Sequence, residues 1–338
     1  MTLTLLLCPP SVAQTQFTLV ELNAENLFDC HHDEGSDDTS FLPDSPRRWT
    51  PGRLQRKLNL LGRTLAVIGR GQGMPDLVAL CEVENDTVLQ KLVSTSVLWS
   101  WHYKYFMTHS QDIRGIDCAL MYRPESFRPI AHRSIRPYFH DLPSKRTRDL
   151  LHVTGILQTG DTLDVFVIHA PSRMDSHQQG RAYRLQLMQQ LRSIVDSTMQ
   201  QRAHPGVIIA GDFNASANDE SVIWGLRAQR PVANATTYEE RELYCLPSHT
   251  ESRHPEVRGN YFYNGEWETI DHICINGRLL TASNSLHTKT DNCHIADKRF
   301  LLDYKKGQLA PHRTYNGMRW EGGLSDHLPL VVRFSYSW

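Results

Sequence analysis

The chain has 338 residues, 40% hydrophobic and 22% charged, and 36 Lys and Arg against 37 Asp and Glu leave a formal charge of −1. That balance excludes a global basic field of the sort that drives nonspecific nucleic-acid binding. No apolar run reaches the roughly 18–20 residues needed to span a membrane, so integral membrane association is not expected.

At the N-terminus, an apolar run from Leu3 to Cys8 precedes a small-x-small site at Ser11-Val12-Ala13. Residues 1–13 resemble a secretory signal peptide, although no Lys or Arg before Arg47 supplies a basic n-region. The expectation is export to the periplasm or the extracellular space if that signal is real, and a cytoplasmic protein otherwise. Next comes FTLVELNAEN (17–26), an alternating strand that breaks at Asn23. The acidic loop DCHHDEGSDD (29–38) reads as solvated, with a second cation such as Ca²⁺ as the sharper reading. Leu54, Leu58, Leu61, Leu65 and Ile68 recur at three- and four-residue spacing and predict an amphipathic helix over 53–69, stopped at Gly69. PDLVALCEVEN (75–85) and IDCALMYRP (116–124) are buried strands. LLHVTGILQ and TLDVFVIHAPS form a hairpin around Thr159-Gly160-Asp161. Leu185, Met188, Leu191, Val195 and Met199 predict a helix over 180–200. GVIIAGDFN, ETIDHICIN (268–276) and LPLVVRFSY (328–336) complete the strands.

The length calls for two domains or for one domain with more than two layers. No linker divides the chain, and strands outnumber helices. The reading is therefore one α+β domain over 17–338, with two sheets packed face to face and helices outside. Six cysteines remain after Cys8. Cys81, Cys118 and Cys274 fall in apolar runs and read as buried thiols. Cys245 and Cys293 fall in polar stretches, which suggests a bridge between them. There is no CxxC pair, which disfavours a structural zinc site.

The apolar runs end on a consistent set of polar residues: Asn23 and Glu25, Glu82, His169, Asp212 and Asn214, and Asp271, with Asp326 and His327 just before the last strand. One such residue is ordinarily a turn former. So many carboxylate, amide and imidazole groups are better read as a site assembled where strand ends converge. Oxygen donors without thiolates suit a hard cation such as Mg²⁺, with Mn²⁺ or Ca²⁺ as alternatives. Two histidines supply proton transfer or charge stabilisation near neutral pH. There is no glycine-rich phosphate loop. Metal-assisted hydrolysis of a phosphate ester fits this inventory. His272 follows Asp271 on a strand and so faces the other way.

In this order, LNAENLF, LCEVEN, HAPS, GDFNA, TIDHICIN and SDHLPL resemble the endonuclease/exonuclease/phosphatase superfamily over about residues 17–336. The resemblance implies a four-layer αββα sandwich and a Mg²⁺-dependent phosphoesterase. By position it makes Glu82 the principal metal carboxylate, with Asn23 beside it and Glu25 and Asp326 as further metal-side residues. It makes Asp212 the residue that orients or deprotonates water and Asn214 the amide that holds phosphate. His327 becomes the catalytic histidine, Asp271 the carboxylate that sets its tautomer, and His169 the group that assists the leaving oxygen.

Arg114 and Arg173 are candidate phosphate contacts. Residues 123–148 carry Arg123, Arg128, Arg133, Arg136, Lys145, Arg146 and Arg148 against Glu125 and Asp141, a net +5. Arg146 and Arg148 on one strand face are the preferred pair for tracking a phosphate backbone. The expected activity is nuclease cleavage of DNA or RNA, with no obligate protein partner evident. The alternatives are a lipid or inositol phosphate phosphoesterase and a non-catalytic binding module on the same scaffold.

Overall fold

The computed structural model describes residues 15–173, 177–232, 235, 237–252 and 254–337. The signal-peptide reading of 1–13 lies outside them. In chain order the elements are β1 (Gln16–Leu27), α1 (Pro51–Ile68), β2 (Leu77–Val83), α2 (Asp86–Thr95), β3 (Lys104–Met107), β4 (Asp117–Tyr122), β5 (Phe127–Ile135), β6 (Leu150–Leu157) and β7 (Thr162–His169). They continue with α3 (His177–Gln200), β8 (Gly206–Asp212), β9 (Ala228–Gln229), β10 (Leu243–Cys245), β11 (His249–Thr250), β12 (Tyr261–Tyr263), β13 (Glu266–Glu268) and β14 (Asp271–Asn276). The last are β15 (Leu286–His287), β16 (Cys293–Ile295), β17 (Leu302–Lys305), β18 (Gln308–Pro311), β19 (Tyr315–Asn316), β20 (Arg319–Trp320) and β21 (Leu330–Tyr336).

Two large mixed sheets carry the fold. The first runs β11-β16-β21-β1-β2-β4-β3, with β15 also on β21, and the second runs β5-β6-β7-β8-β14-β10-β9. Side-chain alternation on β8 shows the layering. Ile208 and Ala210 join the core shared with the first sheet. Val207 and Ile209 join Leu187, Met188 and Leu191 of α3 in a separate outer core. Helices α1 and α2 pack with the first sheet. The result is the expected αββα order, with thin helical layers. No helix among the described residues is long and apolar enough to cross a membrane.

The α1 boundaries follow from capping. Thr50 accepts from the Arg53 amide, Pro51 occupies the first turn, and Gly69 closes the end. Its buried face carries the expected leucines and also Lys57. The helix α2 went unread in the sequence because it is short and its signal is local: Asn85 caps the Val88 amide ahead of Val88, Leu89 and Leu92.

Two expectations are corrected. Cys245 and Cys293 are buried strand residues on different sheets, and both are free thiols. Polar neighbours hid the fact that each sits in a short strand. Arg146 and Arg148 precede β6 instead of sharing a strand face, because the chain only pairs from Leu150 onward.

Candidate active site

The second sheet sets one half of the site by register alone. On β7, β8 and β14, His169 lies opposite Asp212 and Asp212 opposite Asp271. All three are buried. Gly211 makes this level arrangement feasible. Its φ is +145°, and a Cβ there would lie 1.9 Å from the Ile168 carbonyl oxygen, so only glycine lets β7 and β8 approach in this way. His272, one residue on, faces outward and bonds the Ala215 carbonyl at 2.9 Å.

The first sheet sets the other half by breaking its own regularity. Register shifts occur between Asn23 and Leu27 on β1 and between Cys81 and Val83 on β2. Glu25, Asn26 and Glu82 sit there at φ of 49°, 56° and 60°, and Asn214, just after β8, at 49°. Non-glycine residues adopt this left-handed region at a cost and cluster at functional sites. Here the bulges turn the carboxylates of β1 and β2 into the cleft between the sheets. The loop before β21 is tied down by Ser325, which donates to the Asn23 carbonyl at 2.6 Å and accepts from the His327 amide.

These elements bring the strand-end residues together. His327 Nδ1 lies 2.7 Å from Asp271 Oδ2. Asp212 accepts from Asn23 Nδ2 at 3.1 Å and from the Asn214 amide at 2.8 Å, and lies 3.5 Å from His169 Nε2. Asn214 Nδ2 donates to the Ala170 carbonyl. Glu82 accepts from the Asn26 amide and pairs with Arg114 at 3.1 Å. Glu25 and Asp326 share Arg313, at 3.1 and 2.7 Å, and Glu25 also accepts from the Thr314 amide.

The electrostatics differ from group to group. Burial alone would strip the proton from His327, but the charges of Asp271, Asp326 and Asp212 outweigh it and hold the imidazole well above its usual range. Burial and the neighbouring Asp271 push Asp212 up to about 7, against the pull of His327 and its hydrogen bonds. His169 is driven well below the usual histidine range by burial, with Arg148 and Arg114 adding to it, so it is neutral. Burial opposes ionisation of Glu82, yet Arg114, His327 and the Asn26 amide prevail and its carboxyl lies below the usual value.

Among the described residues, Asp212, Asp271 and His327 each place a ligand atom within 4.8 Å of the others. Asp271 Oδ1 and His169 Nδ1 are buried without a partner. With Asn23 and Glu82 the donor set is oxygen and imidazole, and the nearby Cys81 thiol is spent on the Ile168 carbonyl. Such a set fits a hard divalent cation.

The expected arginines fall at different distances from this chemistry. Arg114 touches Glu82 and donates to Asn26 Oδ1 at 2.5 Å. Arg173 pairs with Glu268 at 2.5 Å. Arg148 is buried, paired with Asp112 and donating to the Ala170 carbonyl. Arg146 donates to the Gln111 carbonyl at the surface.

Four groups were missed in the sequence. Glu21 is fully buried on β1 with neither carboxylate oxygen bonded, and burial with the nearby Asp271 raises it well above the carboxylate range. Lys57 is buried and donates to the Glu25 carbonyl and to Thr314 Oγ1. Arg313 has no sequence signal at all. Tyr261 packs its ring 4.6 Å from that of His327. A charged residue at a core position of a strand or an apolar helix face was the available signal for Glu21 and Lys57.

A family model described as Endonuclease/Exonuclease/phosphatase family matches residues 18–335. The chain belongs to that family. As a member of the endonuclease/exonuclease/phosphatase family it is an enzyme that hydrolyses phosphoric esters. Solved structures share the fold at low identity. D. rerio TDP2, described as complexed with single strand DNA product, is 15% identical over 94% of this chain and 98% of its own, with TM-score 0.55. The human Nocturnin catalytic domain, described with bound sulfate anion, is 18% identical over 95% of each chain at 0.53. A family member from Bacteroides thetaiotaomicron is 14% identical over 96% of each at 0.56. No curated protein matches the sequence.

Proposed function

We propose that this chain is a Mg²⁺-dependent phosphodiesterase that cleaves nucleic acid. The observation that carries the reading is the buried His327–Asp271 pair, 2.7 Å apart, with Asp212 in the same cluster. Asp271 fixes the imidazole tautomer and keeps it protonated, so His327 presents Nε2–H to a developing phosphoryl charge. Asp212, with its affinity for protons raised to near neutrality, takes a proton from the attacking water. Asn214 holds a non-bridging phosphate oxygen, and neutral His169 donates a hydrogen bond toward the leaving oxygen.

Glu82 and Asn23 would hold the cation, with Asp326 and Glu25 beside it. A bound Mg²⁺, or Mn²⁺ or Ca²⁺ in its place, supplies charge neutralisation at the phosphoryl oxygens. Arg114 and Arg173 flank the site as phosphate contacts, and Arg146, at the surface, extends the track, whereas Arg148 is buried against Asp112 and stands behind it. The nucleic-acid preference draws on D. rerio TDP2 with its single strand DNA product. The sulfate anion described with Nocturnin supports an oxyanion in this fold. Export through residues 1–13 belongs to the same proposal; the mass of the mature chain recovered from expressing cells tests it.

The decisive assay is hydrolysis of plasmid DNA with and without Mg²⁺, for wild type, His327→Ala and Asp212→Asn. Metal-dependent nicking that falls roughly 10³-fold in both variants is expected. Absence of nicking, with bis-p-nitrophenyl phosphate still hydrolysed through His327, would transfer the same mechanism to a lipid or small-molecule phosphate.

A further inference from the structure

The β12–β13 hairpin is a local design with an unassigned face. Asn264-Gly265 at its tip has φ of +50° and +88°, the two positive values that a tight two-residue hairpin turn requires. Alternation then sorts its aromatics. Phe262 and Trp267 lie opposite each other with rings 5.2 Å apart, and Trp267 packs on the main core. The hairpin is thus anchored by that face. Tyr261 and Tyr263 project from the other face, ring planes within 10° and centroids 6.2 Å apart.

Those two tyrosines line a cavity of about 620 Å³ that also touches Ser172, Arg173, Asn214 and Glu268. The cavity reaches the candidate catalytic cluster at Asn214 and through Tyr261. Tyr261 pairs with His327 through the backbone as well as through the ring, and Asn214 follows Asp212. Tyr263 lies further out and is 43% exposed. Its wall is charged as well as aromatic: Arg173 pairs with Glu268 across the pocket, and Glu268 stands opposite Tyr261 in the ladder. A cavity with two near-parallel ring faces, an arginine and Asn214 of the proposed phosphate-cleaving centre in its wall matches one ligand chemistry. That chemistry is a planar heteroaromatic ring carried on a sugar phosphate.

We infer that this cavity is a nucleotide subsite, in which the base next to the cleaved phosphate stacks on Tyr263 while Arg173 faces its phosphate. The inference rests on the nucleic-acid reading above and sharpens it, because it locates base recognition on the hairpin, apart from the phosphate contacts of the basic stretch 123–148. Base–aromatic stacking tolerates any base, so the subsite selects for a base without selecting which one. A lipid or sugar phosphate gains nothing from it.

The test is calorimetric titration of the full chain with thymidine 5′-monophosphate and, separately, deoxyribose 5-phosphate, for wild type, Tyr263→Ala and Tyr263→Phe. Wild type is expected to bind the nucleotide about tenfold more tightly than the sugar phosphate. Tyr263→Ala should close that gap and Tyr263→Phe should keep it. Equal binding of the two probes by wild type, or a gap that survives in Tyr263→Ala, would overturn the subsite. Mg²⁺-dependent hydrolysis of bis-p-nitrophenyl phosphate, measured on wild type, reports on the catalytic centre separately. Hydrolysis without the gap removes the subsite alone, and the gap without hydrolysis removes the catalytic reading alone.

Discussion

The two halves of the candidate active site are built in opposite ways. In the second sheet, His169, Asp212 and Asp271 stand level on three regular strands. The cation bonded to this group is His327, on Asp271, whose Oδ1 is left without a partner among the described residues. In the first sheet, Glu25 and Glu82 stand on bulged, left-handed backbone, and each carboxylate is already matched by a cation: Arg313 with Lys57 behind it, and Arg114. The regular half concentrates uncompensated charge, where a proton or a metal has most to gain. The irregular half stores strain and neutralises its charge internally. Preorganisation is thus achieved by register in one sheet and by ion pairing in the other.

The sharpest way to break this comparison is to remove the cation beneath the irregular half. Burial lowers Lys57 to about 8 despite the neighbouring Glu25, and burial together with Asp326 raises Glu25 to about 7. Lys57→Met removes the cation behind Glu25, leaving that carboxylate to Arg313, which it shares with Asp326, and is expected to cost about 3 kcal/mol in urea unfolding. Adding Glu25→Gln should recover part of that loss. If the single variant is as stable as wild type, the ion-paired account of this half is wrong.

A comparable effect is expected far from the site, as a control on buried charge. Burial, reinforced by Arg333, lowers His294 from 6.5 to about 4. The folded state therefore resists protonating it. Stability is intact above the unfolded value near 6.5 and is lost as pH falls toward 4, by roughly 2–3 kcal/mol. His294→Gln should lose less stability than wild type between pH 7 and 4.5; parallel acid limbs would refute the assignment.

Metal affinity separates the halves on a smaller scale. Both Glu25 oxygens are occupied, by Arg313 and by the Thr314 amide. In Mn²⁺ titrations, Glu82→Gln should weaken binding at least about tenfold, and Glu25→Gln by only a few-fold. The reverse order would make Glu25 the metal carboxylate. The smallest effect belongs to Arg146, which donates to the Gln111 carbonyl at the surface. Arg146→Ala should reduce the salt slope of DNA binding by about one unit, with stability unchanged within about 0.5 kcal/mol.

Much of this site could be read from residues 23, 82, 169, 212, 271 and 327, because buried strands have an unmistakable apolar pattern and each of these residues ends one. The compensating groups were not legible in the same way. Lys57 sits among the leucines of a helix that reads as amphipathic without it, and Arg313 lies in a stretch with no period. Their meaning depends on Glu25 and Asp326, which lie 32 and 13 residues away in the chain. The hairpin at Asn264-Gly265 had a readable turn, but its flanking strands are three residues each, too short for alternation to stand out.

By itself, the sequence determined the layered α+β architecture, the strand-end residues and the class of chemistry their oxygen and imidazole atoms allow. These follow from local alternation and donor type. Only the tertiary structure decided which strand end faces which, that His327 is locked to Asp271, that arginines already neutralise Glu25 and Glu82, and that two tyrosines line a cavity beside that pair. Such relations are contacts between segments tens to hundreds of residues apart, set by sheet order, register and bulges, and no local pattern encodes them.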